Sequence, residues 1–272
     1  MELFISVDME GITGVTGPEY LVPEGKYYER ARRLMVHDVN AVVRAAREAG
    51  AGRITVNDAH NLMTNLPLED LDPSVELISG PVKPLCMMQG VEGHEAAMLV
   101  GYHARMGTPR AVMDHTYYAS LVRRILLNGR EVGETGINAA LAGHFGVPVI
   151  LVSGDRAVGE EASSFIPGVE TVVVKEAYGR NTARCLPPEV TGVLLGEGVR
   201  RALSRWRTMA PLKVGTPVCF EVEFFTSQMA DQAEVYPYAR RSGTTIAVTG
   251  KDMLEAFHAL LTVLQLGRAP LL

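Results

Sequence analysis

Cysteine is scarce in this chain of 272 residues. The three cysteines, Cys86, Cys185 and Cys219, lie far apart and are odd in number. Disulfide frameworks use an even number of cysteines and form in oxidising compartments. The scarcity therefore argues against a disulfide-stabilised domain and predicts a reducing, cytoplasmic setting, in which the cysteines serve as small buried apolar residues.

Long apolar runs and runs of basic residues are missing as well. No apolar stretch reaches the roughly 18 residues needed to span a bilayer, and the start, Met1-Glu2, lacks the charged and apolar regions of a signal peptide. The formal net charge is −5, so nucleic acid is not an expected partner. With 47% hydrophobic and 21% charged residues, the composition is typical of a globular protein. We expect no membrane span and no nucleic-acid partner.

Strand-like and helix-like patterns alternate through the first 210 residues. The predicted strands are Leu3–Val7, Arg53–Asn57, Val75–Ser79, Ala96–Gly101, Val147–Val152 and Thr171–Val174, and the predicted helices are Tyr27–Glu48, Thr135–His144 and Pro188–Arg207. Repeated β-then-α units favour a parallel or mixed sheet covered by helices. The sequence therefore predicts an α/β fold with a central mixed or parallel sheet flanked by helices.

The pattern changes after about Pro211. Val218–Thr226 alternates between apolar and polar residues, Thr244–Thr249 is a second strand, and Lys251–Leu266 is an amphipathic helix. We therefore predict two domains: an α/β metal-binding catalytic domain at 1–210 and a smaller α+β lobe at 211–272.

Two carboxylates follow the first apolar run directly. Asp8 and Glu10 come after the strand Leu3–Val7, and residues two apart in an extended chain point the same way. Two adjacent carboxylates repel each other, and a divalent cation is the usual means of keeping both ionised. The alternative is an ordinary acidic turn in which Asp8 caps a helix.

Other polar residues also follow predicted strands or precede a helix. They are Asp58, His60, His103, His115 and Glu134. Singly, each has a structural explanation, such as a hydrogen-bonded histidine or an acidic helix N-terminus. In open α/β sheets, however, ligands bind beyond the carboxyl ends of the strands. Carboxylates and imidazoles gathered there suit zinc or a similar divalent metal. Their number favours a two-metal site bridged by Asp8 over one tetrahedral ion.

Several segments of the sequence resemble one known family in order along nearly the whole chain. They are SVDMEG at 6–11, VNDAH at 56–60, ISGPVKP at 78–84, GYHA at 101–104, VGE at 132–134, PVILVSGD at 148–155 and KDMLEA at 251–256. These resemble the motifs of the zinc-dependent D-aminopeptidases of the Bacillus dipeptide-permease operon type, peptidase family M55.

The resemblance implies a role for each candidate residue. Asp8 would bridge two zinc ions per subunit; Glu10 and His103 would complete the ligands of one ion, and His60 and Glu134 those of the other. His115 matches the catalytic position of the family. Because a bound metal lowers the pKa of water towards about 7, we expect the metal pair to supply the nucleophilic hydroxide and His115 to act as a general acid/base.

Two neighbours of His60 and two longer segments are further candidates for roles near the site. Asn57 and Asp58 either orient His60 or form the turn after its strand. Residues 13–26 and 227–242 differ more from the family pattern, and we expect them to form rim loops that shape specificity.

The implied function is hydrolysis of short peptides with a free N-terminal D-Ala or Gly by a bridged two-metal hydroxide mechanism. The resemblance also implies a homo-oligomeric ring, a decamer of two stacked pentamers. Two alternatives stay open: a metallohydrolase acting on another amide, such as an L-aminopeptidase or a cell-wall fragment amidohydrolase, and a non-catalytic protein that binds dipeptides or metal.

Overall fold

The computed structural model of the chain describes residues 1–269 and contains two β-sheets. The first sheet consists of β1 (Leu3–Val7), β2 (Ile54–Asp58), β3 (Val75–Ile78), β4 (Ala96–Tyr102), β7 (Val149–Asp155), β8 (Glu170–Gly179) and β9 (Thr182–Cys185). The second consists of β5 (Val122–Leu127), β6 (Arg130–Glu131), β10 (Val218–Phe224), β11 (Arg240–Ser242) and β12 (Thr245–Gly250). The helices are α1 (Tyr28–Glu48), α2 (Glu134–His144), α3 (Arg156–Phe165), α4 (Pro188–Arg205), α5 (Ser227–Ala233) and α6 (Met253–Arg268).

The first sheet has the strand order β3-β2-β1-β4-β7-β8-β9. Its strands run parallel except β9, which is antiparallel to β8. The predicted α/β fold with a mixed, mainly parallel sheet is therefore confirmed. The chain builds outward from β1 to β3 and then returns to the other side of β1 with β4. Ligands of open α/β sheets bind beyond the strand ends where the order reverses in this way, which here is the β1–β4 junction.

Helices cover both faces of this sheet. Leu3, Ile5 and Val7 of β1 face the hydrophobic core formed with α1 and α4, while Phe4 belongs to the core on the opposite face. The alternation follows from the two-residue period of a strand. Helix α1 presents apolar residues to the sheet at helical spacing, for example Met35 and Val39. The sheet is thus buried on both faces, which leaves the ends of its strands as the place where a ligand can bind.

The second sheet is antiparallel, with the order β11-β12-β10-β5-β6. Phe220 and Val222 of β10 and Phe257 and Leu260 of α6 contribute to the same core as α2. Among the C-terminal strands, β10 pairs with β5, which lies far before it in the chain. The division into 1–210 and 211–272 remains a prediction, and the sheet takes strands from both sides of it.

Within residues 1–269, six strands and α-helices are additional to those that the sequence predicted: β5, β6, β9, β11, α3 and α5. Helix α3 begins after Asp155, whose Oδ1 accepts a hydrogen bond from the Val158 amide at 3.0 Å, and α5 begins after Thr226, which caps Met229 in the same way. Residues 227–242, expected to be a rim loop, therefore contain α5 and the edge strand β11. Within residues 1–269, no helix is long and apolar enough to cross a bilayer.

Candidate metal centre

The structure gathers the predicted ligands at the carboxyl ends of three neighbouring strands. Asp8 and Glu10 follow β1, His60 follows β2, His103 follows β4, and Glu134 is the first residue of α2. Each of these side chains belongs to a residue that is 6% exposed or less. The structure therefore brings the candidate ligands that were predicted from the sequence together in one buried cluster.

Two glycines allow the loop after β1 to lie against the end of β4. A Cβ atom at Gly11 would lie 2.0 Å from the Tyr102 carbonyl oxygen, and one at Gly101 would lie 2.3 Å from the Asp8 carbonyl oxygen. Gly101 also has a φ of 72°, which L side chains rarely adopt. The close approach is fixed by a hydrogen bond of 2.7 Å from the Gly11 amide to the Gly101 carbonyl. It brings Asp8 and Glu10 next to His103.

One group of candidate ligands centres on His60. Its Nδ1 lies 3.2 Å from Asp8 Oδ1 and 3.1 Å from Glu10 Oε2. A second group centres on His103, whose Nε2 lies 3.4 Å from Asp8 Oδ2 and 3.5 Å from Glu134 Oε1. Asp8 thus offers one carboxylate oxygen to each group.

The ligand atoms within each of these groups all lie within 4.8 Å of one another. The shortest contacts divide the ligands differently from the pairing implied by the family resemblance, because Glu10 lies with His60 and Glu134 lies with His103. The ligand atoms of Glu10, His103 and His115 form a third group that also lies within this 4.8 Å limit. Asp8 is the shared member of the first two groups, as expected of a bridging ligand.

Backbone carbonyls fix the orientation of each imidazole. His60 Nε2 donates to the Leu21 carbonyl at 2.8 Å, and His103 Nδ1 donates to the Ala104 carbonyl at 3.0 Å. A carbonyl oxygen only accepts, so in the neutral ring the other nitrogen presents a lone pair to the carboxylates. Lone pairs facing carboxylates need either a proton or a metal cation between them.

The cluster also contains buried polar atoms without hydrogen bonds among the described residues. They are Glu10 Oε2 and His103 Nε2, whose contacts with His60 Nδ1 at 3.1 Å and Asp8 Oδ2 at 3.4 Å, respectively, lack the geometry of a hydrogen bond. Buried polar atoms in proteins are nearly always paired, so orphaned atoms call for a ligand. Carboxylate oxygens and imidazole nitrogens are the donors that zinc prefers when no thiolate is present. The residues therefore fit a zinc-type cation.

Electrostatic coupling within the cluster is strong. Burial and the neighbouring Glu10 raise the pKa of Asp8 to about 7. Burial opposes charge on His60 and His103, but the carboxylates of Glu10 and Glu134, respectively, outweigh it and hold both pKa values well above the usual range. Burial would raise the pKa of Glu10, yet His60 lowers it well below its ordinary value. Without a metal the cluster therefore retains protons, which a bound cation would displace.

His115 lies at the entrance of the cluster. Its ring stacks on that of His103 with a centroid separation of 4.0 Å and an interplanar angle of 10°. His115 Nδ1 donates to the Met113 carbonyl at 2.9 Å, and Nε2 lies 3.9 Å from both Glu10 Oε1 and Glu134 Oε1. Burial and the adjacent His103 lower the pKa of His115, which favours the neutral ring.

A cavity of about 560 Å³ opens onto this cluster. It is lined by Glu10, Pro18, Leu21, Met113, His115, Tyr117, Tyr118, Ala119, Ser120, Arg180, Asn181 and Arg268. Its volume is in the range of about 300–1,000 Å³ that holds small ligands. Pro18 and Leu21 belong to the segment 13–26, which therefore borders the site, whereas no residue of 227–242 lines this cavity.

The structure corrects the alternative that Asn57 and Asp58 orient the His60 ring. The Asp58 carboxylate accepts hydrogen bonds from the amides of Asn65 and Leu66, at 2.5 and 2.9 Å, and Asn57 Nδ2 donates to the Met87 carbonyl at 2.7 Å. Asp58 therefore stabilises the backbone of the loop after β2, as the turn explanation expects, whereas Asn57 holds the separate segment at Met87. The ring is oriented by Leu21, a backbone contact that carries no sequence signal.

The chain is similar to known proteins over nearly its whole length. A model of the D-aminopeptidase family, peptidase family M55, matches residues 1–262. A D-aminopeptidase of Bacillus subtilis (strain 168) is 38% identical over 270 residues, covering 98% of this chain and 98% of the relative. The solved structure of the zinc-dependent D-aminopeptidase DppA from Bacillus subtilis, a self-compartmentalizing protease, gives a TM-score of 0.96 at 38% identity and covers 98% of each chain. The match to the family model includes every candidate ligand and His115.

Proposed function

The chain belongs to the D-aminopeptidase family, peptidase family M55, and is a hydrolase of the aminopeptidase type; we propose that it uses two zinc ions to cleave short peptides with a free N-terminal D-Ala or Gly. The observation that supports two ions is the position of Asp8, which offers Oδ1 to the His60 group and Oδ2 to the His103 group. The three unpaired cysteines suit a cytoplasmic enzyme.

Each zinc ion would have its own set of protein ligands. Asp8, Glu10 and His60 would hold one ion, and Asp8, His103 and Glu134 the other. When bound, the zinc pair would polarise the scissile carbonyl and lower the pKa of the attacking water. The anchored histidine tautomers keep their free nitrogens facing the ion positions, so little reorganisation is needed on binding.

His115 is suited to move the proton of the reaction. Its Nδ1 is held by the Met113 carbonyl, which leaves Nε2 as a proton acceptor facing the cavity side of Glu10 and Glu134. Nε2 can take the proton released by the water and return it to the leaving amine. This is the general acid/base role. Burial lowers the pKa of His115, which keeps the ring neutral and able to accept the proton.

The cavity supports a short peptide substrate. Its lining includes the Glu10 carboxylate and His115, and Arg180 and Arg268 contribute positive charge. A free α-amine is drawn to Glu10, and a peptide carboxylate to the arginines. Metal ions do not distinguish side-chain handedness, so selection of the D-residue depends on the shape of the wall that includes Leu21 and Tyr117.

A matched panel of peptides tests the substrate class. We expect D-Ala and Gly peptides with a free amine to be cleaved, L-Ala peptides to be slower by about tenfold or more in kcat/KM, and N-acetylated peptides to be inert. Activity should disappear in a chelator and return with added zinc. The measurement is steady-state hydrolysis of each peptide by protein of known metal content.

Three results would redirect this assignment. Faster cleavage of L-Ala peptides than of their D-counterparts would support a different amide hydrolase. Absence of turnover for every peptide, in protein that binds zinc, would support a non-catalytic binding protein. Full activity in the presence of a chelator would show that the reaction does not require the metal.

We also propose that the subunits close into a ring, a decamer of two stacked pentamers with the sites facing an inner channel. The related DppA is a self-compartmentalizing protease. Closed symmetry is the common form of homo-oligomers, and a narrow channel would admit short peptides while excluding folded proteins. Large apolar side chains such as Val82, Tyr178 and Tyr238 are exposed on the single chain, and subunit contacts would cover apolar surface of this kind.

Light scattering of the purified protein at micromolar concentration tests the ring. We expect a particle of ten times the 29.5 kDa chain mass. A stable monomer that cleaves D-peptides at full rate would show that assembly is not required for catalysis.

A further inference from the structure

Two lysines, the buried Lys175 and the half-buried Lys83, lie behind the ligand cluster and contact none of its side chains. Lys175 is on β8 and is only 1% exposed. Its Nζ donates to the carbonyls of Glu10, Ile12 and Val15, the latter two at 2.9 and 2.5 Å. The loop that carries Glu10 therefore wraps its backbone around one ammonium group.

Lys83 makes an equivalent set of contacts at the end of β2. Its Nζ donates to the Asp58 carbonyl at 2.6 Å, to Asn57 Oδ1 at 2.8 Å and to the Ile78 carbonyl at 3.2 Å. Asp58 is two residues before His60. Lys175 thus uses all three of its donors on the segment that presents Glu10, whereas Lys83 uses two on the end of β2 that leads to His60 and the third on β3.

The energetics of these contacts are unusual. Within residues 1–269, neither ammonium has a carboxylate within ion-pair distance, because all of their acceptors are carbonyl or amide oxygens. Burial lowers the pKa of both lysines to about 8. At the buried position of Lys175 in particular, an apolar side chain would fill the same space without this desolvation cost. The retained charge therefore calls for a role in the neighbouring site.

We propose that Lys175 and Lys83 are positioning residues that hold the backbone behind Glu10 and His60, so that the first ligand group is formed before the metal arrives. This inference rests on the proposed two-zinc function. The second group is positioned by other means: the Ala104 carbonyl holds His103, and the Tyr117 amide donates to Glu134 Oε1 at 2.6 Å. The two metal positions therefore depend on different supports.

The test is the zinc affinity of the variants Lys175→Met and Lys83→Met in metal-free protein. Zinc is titrated in competition with a chromophoric chelator, at a temperature well below the melting point of each apoprotein. We expect one of the two zinc ions to bind about 10–100-fold more weakly, as for other groups that orient metal ligands, and the second ion to bind as in the unaltered chain. A loss of packing alone would lower the melting temperature without this selective change in affinity.

Lys213→Met is the matched control. Lys213 Nζ also donates to a backbone carbonyl, that of Gly143 at 2.6 Å, but at the far end of α2. This variant should bind both zinc ions with unchanged affinity. If Lys175→Met does not fold, Lys175→Gln replaces it, and if neither folds, Lys83→Met decides for the pair.

The outcomes separate this inference from the proposed function. If the unaltered chain binds no zinc, the proposed function fails. If it binds two ions and the folded lysine variants bind both with unchanged affinity, or lose both equally, only the positioning role is overturned.

Discussion

Replacing Asp8 with alanine should yield a folded protein that retains almost no zinc and has lost its peptidase activity. Asp8 is the one carboxylate shared by both ligand groups, with Oδ1 3.2 Å from His60 Nδ1 and Oδ2 3.4 Å from His103 Nε2. Its loss leaves each ion with only two of the protein ligands assigned to it, fewer than the three that catalytic zinc sites usually have. Elemental analysis after gel filtration measures the metal content, and circular dichroism checks the fold.

Glu134→Ala provides the contrast. Glu134 belongs to the His103 group and not to the His60 group, so its loss should mainly weaken one ion. Asp231→Ala is a suitable control, because this exposed carboxylate pairs with Arg241 away from the cluster. Retention of two zinc ions by the Asp8 variant would contradict the bridging role, and equal loss of both ions from the Glu134 variant would contradict the division into two groups.

His115→Ala should keep the fold and the metal but lose roughly 10²–10⁴-fold in kcat, the usual contribution of a positioned acid/base. The ring is not buried as deeply as the ligands, with 15% of its side chain exposed, and its Nε2 lies 3.9 Å from the two nearest carboxylates. Because His115 also lines the cavity, this position suits proton exchange with a bound substrate. Single-turnover kinetics on zinc-loaded protein separates the chemical step from binding.

His258→Ala, which changes an exposed histidine on α6, should leave kcat unchanged. An unchanged kcat in the His115 variant would assign that ring a structural role. Loss of metal would instead make His115 a ligand. It would then act with Glu10 and His103, because one ligand atom from each of the three residues lies within 4.8 Å of the others.

The position of the site follows from the sequence because the rule behind it is local. An apolar run such as Leu3–Val7 ends in carboxylates, and parallel strands bring such ends to one edge of a sheet. His60 and His103 occupy the same position after β2 and β4. The predicted strand ends, together with the family resemblance, therefore predict that these residues lie close together.

The pairing of the ligands and their supports depends on contacts between distant parts of the chain. Lys175 is 165 residues from Glu10, and nothing in the sequence around it marks a charge that is buried. Strand β5 was missed because the consecutive Arg123 and Arg124 interrupt its alternation, and it is recognised only by its pairing with β10. Helix α3 includes the buried Glu161, which masks its apolar face in the sequence.

The contact between Leu21 and His60 limits how this enzyme can acquire new substrates. Leu21 lines the cavity, and its carbonyl holds the His60 ring. Its side chain can change without disturbing this candidate metal ligand, because only the backbone oxygen makes the hydrogen bond. An insertion or deletion in 13–26 would move that oxygen and release His60. Evolution of specificity at this wall is therefore expected to proceed by side-chain replacement at constant loop length.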